Sequence, residues 1–248
     1  MILNKSEVLK NIRDKEDKVV VSNTIDKYIK YEKSGISTYT NFLDPRKLSL
    51  IESILKNQKI KYNVYKPNEF LEKSIIFFGD YEDFITIFQI DGTFKHKDIL
   101  GTLFSLGLDF DTIGDIIIED DYAYITNLTR LNEVIEKNLN IINNTYIKTK
   151  KVDNMIITKD KFKELNIIVA SMRLDCIVSK LGNMGRGEAQ KFITDGFVLL
   201  NYKECKNIKQ IVFENDVVSI RKNGKYIILN TEKKTKKDNI LLNVKKYN

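Results

Sequence analysis

The residues best placed to do chemistry lie in one stretch, Arg173 to Gly196, which reads RLDCIVSKLGNMGRGEAQKFITDG. Two short apolar-periodic segments flank a break that holds Gly182, Gly185 and Gly187, with Arg186 between the last two. The whole chain has only 11 glycines, so their concentration around one cation calls for a reason. Glycine lets a backbone turn tightly and approach a ligand closely. A second helix starting near Gly187 would offer free amides and the positive end of its dipole to an anion, with Arg186 beside them. A phosphate is the ligand such a site would take. Arg173, Lys180, Gln190 and Lys191 lie on the same two segments. Lys203, Lys206, Lys209, Arg221, Lys222 and Lys225 follow on the continuation. Together with Arg186 and Gly187 they make the expected polyanion-binding set: a footprint for a phosphate backbone, strong in affinity and poor in base readout. The alternative is a plain helical hairpin with a flexible loop. Gly182-Asn-Met-Gly185 also fits the GxxG of KH domains, although the strand pattern that follows fits that fold poorly.

The elements needed to hold these residues can be read from periodicity. Leu174, Ile177, Val178 and Leu181 form one helical stripe, and Ala189, Phe192 and Ile193 a second. Asp175 falls near the start of the first helix and Lys180 near its end, each where the dipole favours it. Gly196 is a left-handed stop. Phe197–Leu200, Val217–Ile220 and Tyr226–Leu229 read as strands, with turns at Asn201-Tyr202 and Asn223-Gly224. Thr231 to Lys237 reads as a basic tail, followed by a short strand-like piece at Ile240–Val244.

Upstream, residues 1 to about 60 read as helical, with Asp44 capping and Pro45 opening a helix that carries Leu48, Ile51, Ile54 and Leu55. Ile60–Tyr65 reads as a short strand. From about Ser74 the order is strand (Phe84–Ile90), helix (His96–Gly107), hairpin turning at Asp120-Asp121, helix (Leu128–Leu139) and strand (Thr145–Val152). That βαββαβ order is ferredoxin-like, the pattern of RNA-recognition motifs, without their aromatic-rich signature. Tyr122 and Tyr124 share one strand face, where stacking on bases competes with an ordinary place in the sheet. His96 and Lys97 are further candidate contacts, against a simple polar cluster at a helix start. The expected fold class is α+β: a helical region at 1–73, a middle domain at 74–165, and an αα-hairpin plus small sheet at 166–248.

Composition limits the remaining possibilities. The net charge of +7 is uneven: Ser171 to the end holds 16 Lys/Arg against 8 Asp/Glu, while Met1–Ala170 holds 25 against 26. A basic module on a near-neutral body suits a polyanion, or only a solubilising surface. A single histidine, His96, and two distant cysteines, Cys176 and Cys205, argue against a metal site, a disulfide scaffold and histidine-dependent catalysis. No cofactor or metal is expected. With no long apolar run and no apolar leader, no membrane is expected either, and the protein is expected to be cytoplasmic. No dimerisation signal is visible, so a monomer is expected.

Four separated pieces carry a resemblance: Arg173-Leu-Asp175, Gly185-Arg-Gly-Glu-Ala-Gln190, Ile193-Thr-Asp-Gly-Phe-Val-Leu-Leu-Asn201 and Glu214-Asn-Asp-Val-Val-Ser-Ile220. In this order they resemble the S-four RNA-binding domain, over about residues 171 to 230. Gly185 and Gly187 stand where that family usually has serines; Arg186 is kept. Phe42-Leu-Asp-Pro-Arg46, His96–Leu108 and Ile113-Gly-Asp-Ile-Ile-Ile118 are similar to the YlmH proteins of Gram-positive bacteria. Lys97 replaces an arginine usual there, and an acidic-basic element is reduced to Glu72-Lys73. This resemblance implies rRNA, tRNA and the large ribosomal subunit as partners, in ribosome-associated quality control, without catalysis. Two other classes compete with it. An RNA-modifying enzyme of pseudouridine synthase or methyltransferase type would need a catalytic aspartate domain or a glycine-rich loop after a strand, and neither is found. A DNA-binding regulator could use the same helical hairpin.

If six of the named cations each neutralise one phosphate, log affinity for a folded RNA helix should fall against log salt with a slope of roughly −4 to −5. A salt titration beside an unstructured oligomer of equal length checks this. A near-flat slope, or preference for one short single-stranded sequence, would contradict a phosphate-tracking module.

Overall fold

The computed structural model describes residues 4–68, 71–157, 162–234 and 239–247, and it is a mixed α/β protein with several sheets. The chain divides into two compact units, Met1–Lys159 and Asp160–Asn248. No helix among the described residues is long and apolar enough to cross a membrane.

In the first unit, α1 (Lys5–Lys10) and α2 (Lys15–Ser34) precede the short strand β1 (Thr38–Tyr39). Asp14 caps α2 through the amide of Asp17, and Gly35 ends it at φ 66°. In α3 (Pro45–Asn57), Asp44 accepts from the Lys47 amide at 2.8 Å and Pro45 opens the helix, as its sequence predicts. Arg46 then reaches back to Asp17 with two hydrogen bonds of 3.0 and 2.7 Å, joining α3 to α2. Strands β2 (Asn63–Tyr65) and β3 (Ile75–Phe78) complete a sheet of order β1-β3-β2. Ile75–Phe78, which the sequence groups with the middle domain, thus pairs on both edges with N-terminal strands.

The second sheet of this unit contains β4 (Ile85–Asp91), β5 (Ile113–Ile118), β6 (Tyr122–Leu128) and β9 (Thr149–Val152), in the order β5-β6-β4-β9 with antiparallel neighbours. Helix α4 (His96–Ser105) is followed by Gly107 at φ 78°. Two expected elements are shifted. The helix expected over Leu128–Leu139 is α5 (Asn132–Asn138), because β6 runs through Leu128 and a 3-10 turn occupies Thr129–Leu131. The strand expected over Thr145–Val152 is split, because Thr145–Tyr146 (β8) folds back on Ile141–Ile142 (β7) around Asn143 and Asn144, both at positive φ.

The second unit is a six-stranded antiparallel sheet with two helices on one face. The strands are β10 (Phe162–Val169), β11 (Val198–Leu200), β12 (Lys203–Glu204), β13 (Val217–Ile220), β14 (Gly224–Lys234) and β15 (Ile240–Tyr247), in the order β10-β15-β14-β13-β11-β12. The helices are α6 (Leu174–Leu181) and α7 (Arg186–Thr194). Leu174, Ile177, Val178 and Leu181 from α6 and Ala189 and Ile193 from α7 are buried with Val198, Val218, Ile220, Ile228, Leu242 and Val244 from the sheet. The described part of the expected basic tail, Thr231–Lys234, is strand. β14 continues to Lys234 and pairs with β15, while Thr235 to Asp238 lie outside the described residues.

Ile177 is fully buried in this core. Ile177→Ala should destabilise the second unit by about 2–5 kcal/mol, read as a lower denaturation midpoint at unchanged slope.

Candidate nucleic-acid interface

The centre of the helical hairpin is a carboxylate. Asp175 is fully buried. Arg173 donates to it from Nε at 3.1 Å and from Nη2 at 3.0 Å. Arg186 donates from Nε at 3.0 Å, and Gln190 from Nε2 at 2.9 Å. Burial alone would raise the pKa of this carboxyl, but the hydrogen bonds from Gln190, Arg173 and Arg186 outweigh it and hold the pKa at about 2. The sequence assigns Asp175 only a favourable place in a helix dipole. Its tertiary role is larger, since three predicted RNA-binding residues, two, eleven and fifteen positions away, converge on it.

The backbone supports the same point. The amide of Leu174 donates to Gln210 O at 2.8 Å and that of Asp175 to Ile208 O at 3.3 Å. Lys209 therefore sits between two residues bonded to the first turn of α6, beside the arginines. Arg186 uses Nε for Asp175, and its side chain is 52% exposed, so its terminal nitrogens face outward. It is the first residue of α7, which starts one position earlier than the glycine spacing predicts, with Gly185 as a cap that offers no side-chain bond. A Cβ added at Gly185 or Gly187 would meet nothing within 4 Å, and neither residue has positive φ. The tight turn therefore does not require these two glycines. They leave the exposed start of α7 without side chains. Gly182 is the crowded one, where a Cβ would lie 2.4 Å from the Met184 side chain and 2.9 Å from Val178 O.

Other predicted cations gather elsewhere. The turn holding Arg221 and Lys222 docks on the helix–helix loop, because Asn223 donates from Nδ2 to Gly182 O at 3.2 Å. Lys180, in the last turn of α6, is at this end. Arg221 lies 4.9 Å from the Phe197 ring centroid. Lys191 is exposed on α7, and Lys206 pairs with Glu204 at 3.0 Å.

Lys225 departs from the expected set. Its neighbour Tyr226 is buried and donates its hydroxyl to Leu181 O at 3.3 Å, towards the helices. Alternation along the strand then puts Lys225 on the opposite face. There its Nζ is 4.7 Å from the centroids of both Tyr202 and Tyr247, and Phe162 meets Tyr247 edge-on at 4.7 Å. Lys203 adjoins Tyr202 in the chain. The sequence suggests no aromatic platform. The sheet builds one from three distant segments, and no local motif marks Phe162, Tyr202 or Tyr247.

In the first unit, Tyr122 and Tyr124 share a sheet face with apolar neighbours. Tyr124 is buried, and its hydroxyl accepts from the Ile156 amide at 3.0 Å. Tyr122 packs against Tyr124 at 5.3 Å and donates to Ile156 O at 3.3 Å. Leu71, Met155 and Ile157 pack on this sheet face with them, and Tyr122 stays half-buried. His96 and Lys97 are exposed at the start of α4. Near His96 lies Lys73, missed by the sequence as more than part of a reduced motif. It donates from Nζ to Ile113 O at 2.7 Å and Phe110 O at 3.1 Å, and sits 3.7 Å from the Phe110 ring centroid. Asp115 accepts from the amides of Glu72 and Lys73. Burial lowers the Lys73 pKa to about 8.

Because the folded pKa of Asp175 is depressed, its contribution to stability is present above about pH 4 and is lost as the pH falls towards 2. The shift corresponds to about 2 kcal/mol. Asp175→Asn should therefore be less stable than the parent at pH 6, with the gap shrinking as pH approaches 2. Denaturant titrations across that range check this; a gap independent of pH would contradict it.

Comparison with known proteins agrees with this division. The family model described as "Putative RNA-binding domain in YlmH" matches residues 81–155, and that of the S4 domain matches residues 172–218. The chain is 25% identical over 213 residues to the ribosome-associated protein quality control protein P2 of Bacillus subtilis (strain 168), covering 80% of this chain and 83% of that one. The structure of the cell division protein ylmH from Streptococcus pneumoniae is similar with a TM-score of 0.48 at 16% identity, over 57% of this chain and 94% of that chain.

Proposed function

We propose that this chain, which belongs with the YlmH proteins by its pairing of the two domains, is a non-catalytic protein that binds rRNA and tRNA on the large ribosomal subunit during ribosome-associated quality control. The observation that carries this reading is Arg186. A buried carboxylate grips its Nε and leaves its terminal nitrogens outward, at a helix start cleared of side chains. A phosphate there would meet a fixed guanidinium and free backbone amides together. Arg173 and Gln190 hold the same carboxylate, so they act as positioning residues. The charge division supports the same reading, since the unit from Asp160 holds 18 Lys/Arg against 10 Asp/Glu. The name of the Bacillus relative points to the ribosome. We also read the middle domain as ferredoxin-like, supported by an antiparallel order of β5-β6-β4-β9 with a helix after β4 and after β6.

Arg186→Ala with Lys191→Ala should weaken binding to ribosomal subunits and to a folded rRNA helix by about tenfold or more, for two lost phosphate contacts. Asp175 keeps its bonds from Arg173 and Gln190, so the melting curve should change little. Unchanged affinity with an unchanged melting curve would rule the site out. Equal binding to duplex DNA would favour the regulator reading.

A further inference from the structure

The first unit holds a second cluster of cations that the helical hairpin does not explain. Tyr39, in β1, stacks on Phe84 with ring centroids 4.4 Å apart and an interplanar angle of 29°. Phe84 therefore occupies one face of the Tyr39 ring. Two cations from distant elements approach the same ring. Lys27 of α2 brings Nζ to 5.9 Å of its centroid, and Arg130, in the 3-10 turn after β6, brings Cζ to 5.8 Å. The fold holds both in place. Thr38 donates from Oγ1 to Lys27 O at 2.8 Å, tying β1 to α2. Arg130 donates from Nη2 to Asn41 Oδ1 at 2.8 Å.

Neither cation has a carboxylate partner among the described residues. Asp111 accepts from Asn41 Nδ2 at 2.9 Å, so Arg130 reaches the neutral amide of Asn41 rather than that carboxylate. Lys30 adds a third positive charge: the pKa of Lys27 is lowered by burial, then by Arg130, then by Lys30. Like charges brought together without a counter-charge oppose one another, and an anion bound between them removes that cost. A ring beside paired cations is also what single-stranded backbone tracking uses. Elsewhere in this unit, Arg46 is matched to Asp17 and Lys5 to Asp26.

We propose that Lys27 and Arg130, beside the Tyr39 ring, form a phosphate-binding site through which the Met1–Lys159 unit holds an RNA backbone. The site takes its partner class from the RNA-binding reading above but uses none of the same residues. It also differs from the contacts considered at His96, Lys97, Tyr122 and Tyr124.

The test is Lys27→Gln with Arg130→Gln in the full chain and in the Arg186→Ala/Lys191→Ala background, measured by anisotropy of a fluorescein-labelled RNA hairpin. Binding should weaken about three- to tenfold in both backgrounds, and the salt slope should become shallower by about one for the phosphate released. The melting temperature should stay the same or rise, because a repulsion is removed; a clear fall would show a structural role and overturn the proposal. Should the double variant not fold, Lys27→Gln alone is read the same way. Unchanged RNA affinity and slope would overturn it while leaving the Arg186 site intact. The converse, with loss here and none on changing Arg186 and Lys191, would support this site and refute the other. If RNA binding is unchanged but capture by whole ribosomal subunits falls, the cations face an acidic protein surface and the proposal fails. If millimolar inorganic phosphate raises the melting temperature of the parent only, with no effect of the variant on RNA affinity, the site belongs to free phosphate and the RNA assignment fails.

Discussion

A carboxylate with no access to water must be matched by donors, and the second unit is arranged around that requirement. Asp175 is met by two nitrogens of Arg173, one of Arg186 and one of Gln190. Leaving such a buried charge without compensation would cost on the order of 3–5 kcal/mol, and here three residues share the compensation. The constraint therefore reaches far. It sets where the start of α7 lies against α6, and the amides of Asp175 and Leu174 bring in the segment carrying Lys209. It also fixes one end of the Arg186 guanidinium, so that less rotamer freedom remains to be lost when the other end meets a phosphate.

The cations of the second unit do not form one sheet of charge. One group surrounds Asp175, another sits at the turn that docks on Gly182, and Lys225 lies across the sheet between two tyrosines. A polyanion tracking the helices would be held by the first two groups. The aromatic row of Phe162, Tyr247 and Tyr202 belongs to a different surface with a different chemistry, since rings are read by stacking rather than by charge. In the first unit the sheet face that carries Tyr122 and Tyr124 is packed with Leu71, Met155 and Ile157. Lys97 at the start of α4 and Arg130 near Tyr39 are among its exposed cations.

Much of the architecture was legible because it is local. Asp44 and Pro45 open α3, Gly107 and Gly196 end their helices at positive φ, and Asn201-Tyr202 make a turn with both residues left-handed. The apolar stripes of α6 and α7 are the buried faces. Each of these follows from steric and hydrogen-bonding demands within a few residues. Misreadings came where a neighbour in space overrode the local pattern. β6 extends through Leu128 because it is paired with β4 over its full length. Residues up to Lys234 form strand rather than tail because β15 returns beside them.

For the candidate site, the sequence by itself determined the positions of Arg173, Arg186, Gln190 and the lysines along the chain, and that most of the excess positive charge lies after residue 160. It also determined that two helices would be joined near Gly182–Gly185. Only the tertiary structure decided that Asp175 would be the common partner of three of those residues, that Lys225 would face away from them, and that Lys27 and Arg130 would meet over Tyr39. The physical reason is the range of the interactions. Caps, turns and amphipathic stripes are decided within one or two turns of chain, while the pairing of a buried charge or the convergence of two cations depends on which strands and helices pack together, which no local spacing encodes.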